Sequence, residues 1–175
     1  MIGKILLAYD GSDNGRRAVS VAAELSAKLQ ADLCIVHVLM HGRPAEELVR
    51  MAEVEHLVQQ AEQTLSPSAA VANGRPYHWL EQRETDGQSA RVISAFGDLL
   101  VAYAKDTSQD LGAQVIKTAV RMGDYADKIL EAADEMDVDM IVLGSRGLGM
   151  IRGTVLGSVS QKVLHHAKQT VVAVK

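Results

Sequence analysis

The residues best suited to chemistry in this 175-residue chain lie in one stretch, Gly144 to Ser158. It carries five glycines: Gly144, Gly147, Gly149, Gly153 and Gly157. Glycine leaves the backbone amide uncovered, so an anion can approach it closely. The stretch follows an apolar run of strand type and leads into a helical pattern, with Gly157 and Ser158 near the helix start. Unpaired N–H groups and the positive end of the helix dipole favour phosphate there. The hydroxyls of Ser158 and Ser160 add donors for phosphate oxygens or for a metal ion's water shell. Arg146 is a loop cation able to neutralise phosphate charge. Two standard phosphate signatures are missing. No G-x-x-x-x-G-K-[ST] occurs, and Arg152 stands where the third glycine of G-x-G-x-x-G should be. A purely structural glycine loop is the alternative.

Such a loop needs a scaffold, and the flanking sequence describes one. The apolar run Ile5 to Tyr9 stops at Asp10-Gly11-Ser12-Asp13, as a buried strand stops at a turn and helix cap. Ala18, Ala22, Leu25 and Leu29 then form a helical stripe, and Leu33 to Leu39 reads as a second buried strand. The C-terminal half repeats the alternation. Val115 to Val120 is a strand, Ala126, Ile129, Leu130, Ala133 and Met136 a helical stripe, and Met140 to Leu143 a strand. Val155, Val159, Val163 and Ala167 step along a helix before a last strand, Thr170 to Val174. Five strands alternating with helices predict an α/β fold, a doubly wound parallel sheet with helices on both faces, Rossmann-like.

In such a sheet ligands bind beyond the carboxyl ends of the strands, where the strand order reverses. Asp10, Val38 and Gly144 fall at those ends of the first, second and fourth strands. They converge if strands one and four are neighbours. A carboxylate at Asp10 can accept hydrogen bonds from ribose hydroxyls, while a turn or cap role is its equal alternative. Val38 offers only its backbone, which can pair with an adenine edge.

The middle is less regular. Met51, Val54, Val58, Ala61 and Leu65 predict a helix from about Pro44 to Leu65, and Val92, Phe96, Leu99, Leu100 and Tyr103 a second helix. Ser66 to Gly87 shows neither period and reads as a loop on one domain spanning 1–175, with an enlarged middle at about 41–112. Lysine and arginine number 18 against 22 acidic residues, a net charge of −4, which gives no electrostatic footprint for nucleic acid or an anionic membrane. No apolar run is long enough to span a bilayer, and the N-terminus lacks a signal-peptide pattern, so a cytoplasmic location is expected. The one cysteine, Cys34, excludes an intrachain disulfide framework.

Gly144-x2-Gly147-x9-Gly157-Ser158 resembles the G-2x-G-9x-G-[S/T] signature of the nucleotide-binding branch of the universal stress protein family. Lys4 to Ser12, Ile35 to Val38, Asp139 to Gly147, Gly157 to Ser160 and Thr170 to Val174 are similar to the family's strands and last helix. The similarity covers roughly residues 1–40 and 113–175. It implies a five-stranded parallel sheet, an adenine-nucleotide pocket and a homodimer through the last strand. Asp10 would meet the ribose and the Val38 backbone the adenine. Gly144, Gly147, Gly157 and Ser158 would line the phosphate path, with Arg146 and Ser160 as further candidates.

Other residues have plainer readings. His165 and His166 are adjacent on a helix, so their side chains diverge. His37 reads as a hydrogen-bonded core imidazole and Cys34 as a small core residue. Asp134, Glu135, Asp137 and Asp139 form a short acidic cluster of solvated charge. The functional expectation is a regulator that holds ATP with Mg²⁺ and signals to a protein partner through its bound state. No clear general base accompanies the loop, which places a slow ATP hydrolase or phosphotransferase second and a nucleotide-free dimeric module third.

Overall fold

Residues Lys4–Ala8 form β1 because both of their faces are covered: Ile5, Leu6, Leu7 and Ala8 are all buried. A computed structural model describes residues 1–39, 86–147 and 156–175 of the chain. Within them the elements follow as α1 (Asp13–Leu29), β2 (Asp32–Leu39), α2 (Asp86–Asp110), β3 (Val115–Met122), α3 (Tyr125–Glu135), β4 (Met140–Gly144), α4 (Ser158–His166) and β5 (Thr170–Val174). The helix expected at 44–65, and residues 66–85 of the expected loop, lie outside the described residues.

The strands make one 5-stranded sheet in the order β3-β2-β1-β4-β5, every pair parallel. From β1 the chain steps outward to β2 and β3, then returns to the far side of β1 as β4 and β5. The order therefore reverses between β1 and β4, which pair directly from Ile5↔Met140 to Ala8↔Leu143. Alternation along β1 divides the core into two layers. Ile5, Leu7 and Tyr9 pack with Ala18, Val19 and Ala22 of α1 and Phe96 and Leu100 of α2. Leu6 and Ala8 pack with Ile129 and Ala133 of α3 and Val163 of α4. Burying each large aliphatic side chain here stabilises the fold by roughly 1.5–3 kcal/mol.

Two elements differ in extent from the sequence expectation. α2 starts at Asp86, so Asp86 and Gly87 are helical rather than part of the loop, and it runs seven residues past Tyr103. Its buried stripe continues through Ala104 and Ser108, both at 0% exposure, and these small residues give no hydrophobic signal. β3 extends to Met122 at the sheet edge, and Gly123 ends it by donating its amide to the Leu39 carbonyl at 2.8 Å.

The amino ends of β1 and β4 are locked by Asp139, whose Oδ2 accepts from Gly3 N at 2.7 Å and Lys4 N at 3.0 Å. These two amides hold its carboxyl below the usual carboxylate range. A folded-state pKa depressed below the unfolded value, about 3.9, gives stability that is present above that pH and lost as pH falls through the folded pKa. Urea midpoints measured between pH 7 and pH 3 are expected to fall at the acid end. Asp139→Asn is expected to start lower at pH 7 and to fall less steeply; a slope equal to wild type would rule this role out.

Candidate functional site

The site is built where β1 leaves the sheet. Tyr9 N donates to Val36 O at 2.9 Å, the last contact of that ladder, and Gly11 then turns the chain with φ 82°, a conformation glycine adopts freely. Asp10 Oδ1 accepts from Ser12 N at 3.1 Å and from Ser12 Oγ at 2.7 Å. Ser12, not Asp10, is the N-cap of α1, its Oγ accepting from Gly15 N at 3.0 Å. The structure thus shows the turn role of Asp10. This residue shapes the turn with one oxygen, and its half-buried carboxylate stands at the carboxyl end of β1.

Val38 lies two residues beyond the last β1–β2 pair, Ala8↔Val36. Strand parity turns its backbone to the same side as that of Val36, past the point where β1 has left. Its side chain is 5% exposed and packs into the core layer facing α3 and α4. Beneath it, His37 Nδ1 lies 2.7 Å from the Tyr9 carbonyl oxygen. A carbonyl only accepts, so Nδ1 carries the proton and the ring is the hydrogen-bonded core imidazole expected. Tyr9 stacks on Tyr103 with ring centroids 6.1 Å apart and closes the other layer below the crevice.

The glycine signature comes together across its gap in sequence. Gly157 N donates to Ser145 O at 2.7 Å, and a Cβ on Gly157 would lie 3.5 Å from Arg146 Cα and 3.8 Å from Gly147 N. The two arms of the loop thus meet at their base; Gly149, Arg152 and Gly153 lie outside the described residues. Gly157 is the N-cap of α4 with φ −77° and ψ 162°, and no side chain caps the helix. Among the described residues no side chain takes the amides of α4's first turn, which begins at Ser158. Gly144 is packed differently: a Cβ there would meet Gly15 N at 2.9 Å and Asn14 C at 3.0 Å.

Ser160, expected among the phosphate donors, is 3% exposed and turns inward. Its Oγ donates within 2.9 Å of Gly144 O and 3.1 Å of Ser145 O, so its single proton braces the loop base. The sequence reading missed Ser12, Asn14 and Ser145. Ser12 Oγ also lies 3.3 Å from Arg146 O, and Asn14 Nδ2 donates to Ser145 Oγ at 3.1 Å. Ser12 was legible as a cap, but no pattern in one sequence pairs Asn14 with a residue 131 positions away.

The acidic cluster disperses into separate contacts. Asp134 accepts from Lys168 and Gln169, Glu135 pairs with Arg121, and Asp139 holds the two amides described above. Lys162 of α4 reaches Asp124 at 3.1 Å and Asp127 at 2.7 Å, tying α4 to the first turn of α3. Cys34 is buried mid-strand, where burial pushes its thiol pKa up and keeps it protonated.

Among the described residues the site offers helix-start amides, a carboxylate at a strand end and the loop arginine Arg146. This chemistry suits a phosphorylated ribose, with a divalent ion held through the phosphates rather than by a protein cage. Comparison with known proteins agrees with the architecture. The model of the universal stress protein family matches residues 1–175, so the match runs through the middle segment, where the sequence reading found no resemblance. Universal stress protein YxiE of Bacillus subtilis is 31% identical over 163 residues, covering 93% of this chain and 92% of that protein. The structure of the universal stress protein from Archaeoglobus fulgidus in complex with dAMP is 21% identical with a TM-score of 0.59, covering 100% of this chain and 98% of that one. An Arabidopsis thaliana family protein with AMP bound is 16% identical with a TM-score of 0.56, covering 99% and 91%. These structural likenesses establish the five-stranded Rossmann-type fold. A family model that matches along the full length and a curated relative aligned over nine-tenths of both proteins lead to one conclusion: the chain belongs to the universal stress protein family.

Proposed function

We propose that this chain binds an adenine nucleotide, ATP with Mg²⁺, beyond the carboxyl ends of β1, β2 and β4, and acts as a cytoplasmic regulator in the stress response. Asp10 takes the ribose hydroxyls and the Val38 backbone takes the adenine edge. The amides of Gly147 and Ser158 take the phosphates beside Gly157, whose own amide is held by Ser145 O and whose missing side chain leaves the path open, with Arg146 supplying positive charge. Gly144 lets the loop base sit against α1. Occupancy orders the segment between Gly144 and Gly157, and a protein partner reads that state.

One observation carries the reading. Gly157 has an ordinary φ of −77°, and among the described residues a Cβ there would meet nothing nearer than 3.5 Å. Nothing among the described residues requires glycine at this position. A ligand approaching the amides of α4 does need it, because any side chain would stand over them. The family members solved with AMP and dAMP support adenine as the base.

Equilibrium dialysis with labelled ATP and AMP, each with and without Mg²⁺, tests the proposal. Saturable binding below millimolar is expected, with Mg²⁺ changing ATP affinity more than AMP affinity; no saturable binding would reject it. The proposal includes a homodimer along β5, which stands at the sheet edge with Val171 to Val174 half-buried. Light scattering is expected to give twice the chain mass of 18.8 kDa.

A further inference from the structure

Ser145 is the residue through which four elements meet. Its amide donates to Val174 O of β5 at 2.6 Å, directly after β4 ends. Its carbonyl accepts from Gly157 N at 2.7 Å and from Ser160 Oγ of α4 at 3.1 Å. Its hydroxyl accepts from Asn14 Nδ2, in the first turn of α1, at 3.1 Å. The residue is 1% exposed.

Bonds to β5 and α4 hold the Ser145 backbone from two sides, and the side-chain bond to Asn14 adds a third tie, to α1. α1 supplies a fixed reference for this tie, because its first turn is set by the Ser12 cap and packs so closely on Gly144 that an added Cβ there would meet Gly15 N at 2.9 Å. We infer that Asn14 and Ser145 form a positioning pair for nucleotide binding, holding the Gly147 arm and the start of α4 in the orientation a phosphate requires.

This inference rests on the nucleotide reading of the site and adds residues to it that do not touch the ligand. A loop held in its bound form before the ligand arrives loses less freedom on binding. Losing one such hydrogen bond is expected to weaken binding about fivefold. Stability moves little in Asn14→Ala, because Asn14 is half-exposed and water replaces the lost partner.

A double-mutant cycle read in AMP affinity tests the pair: wild type, Asn14→Ala, Ser145→Ala and the double variant, each with a thermal melt. Each single change is expected to weaken AMP binding about fivefold, and the double variant no more than the worse single. Hydrogen exchange in the ligand-free Asn14→Ala protein is expected to speed up at the Gly157 amide while Ile141 and Val142 stay protected. Wild-type affinity in Asn14→Ala, or additive losses across the cycle, would overturn the inference while leaving the nucleotide site intact. If Ser145→Ala does not fold, Asn14→Ala decides alone, through its affinity and its Gly157 exchange. Absence of AMP binding to wild type would overturn the site reading, and this inference with it.

Discussion

Gly144→Val is expected to remove about 3 kcal/mol of stability and to abolish nucleotide binding in the same step. Overpacking a dense contact costs about 1–3 kcal/mol, and the upper end applies where the obstacle is backbone. Here a first added carbon would meet Gly15 N at 2.9 Å, Asn14 C at 3.0 Å and Asn14 Cβ at 3.1 Å. The first two are main-chain atoms of a helix turn fixed by the Ser12 cap, so no rotamer change relieves them. Valine adds two methyl groups to that conflict. Only separation of α1 from the end of β4 accommodates them, and this opens the β1–β4 switch point and pulls Asn14 from Ser145. Urea unfolding measures the first effect and dialysis against ATP the second. A midpoint within 0.3 M of wild type, or retained affinity in a folded variant, would refute the packing account of this glycine.

The inner strands were readable because they are covered on both faces, so they appear as continuous apolar runs such as Ile5 to Ala8 and Leu33 to Val36. β5 agrees with its expected bounds, Thr170 to Val174, for a related reason: a turn and a β-branched run mark it off from the helix before it. Signals weakened where burial is served by small residues. Ala104 and Ser108 keep α2 against the sheet without looking hydrophobic, so its C-terminal turns could not be read from periodicity. At the site, the strand-end positions of Asp10, Val38 and Gly144 followed from topology, and β1–β4 pairing sets Asp10 and Gly144 on neighbouring strands. The neighbours of the loop base did not follow. Ser145 and Asn14 are ordinary polar residues in sequence, and their importance comes from a contact 131 residues apart. Ser160 shows the same limit in reverse. A serine two residues into a helix looks like a phosphate donor, yet its rotamer sends the proton to the Gly144 and Ser145 carbonyls.

Gly157→Asp separates folding from binding, because the two are expected to move in opposite directions. Gly157 is already the N-cap of α4, with extended backbone that aspartate adopts without strain. Its Cβ would fit, the nearest atom among the described residues being 3.5 Å away. Aspartate is among the better N-cap residues, and its charge complements the helix dipole, so the fold is expected to gain a few tenths of a kcal/mol. The same carboxylate would accept from the amides that a phosphate needs and would repel it as a like charge. Binding of ATP is expected to weaken by at least 100-fold, about 2.7 kcal/mol, with AMP losing less because it carries fewer phosphates. Gly157→Ala serves as the companion, adding bulk without charge; it should weaken both nucleotides by a smaller and more equal factor. Were Gly157→Asp to bind ATP as wild type does while melting at the same temperature or higher, the amides at the start of α4 would not be the phosphate seat. If instead stability fell sharply, the open cap geometry on which this reading stands would be mistaken.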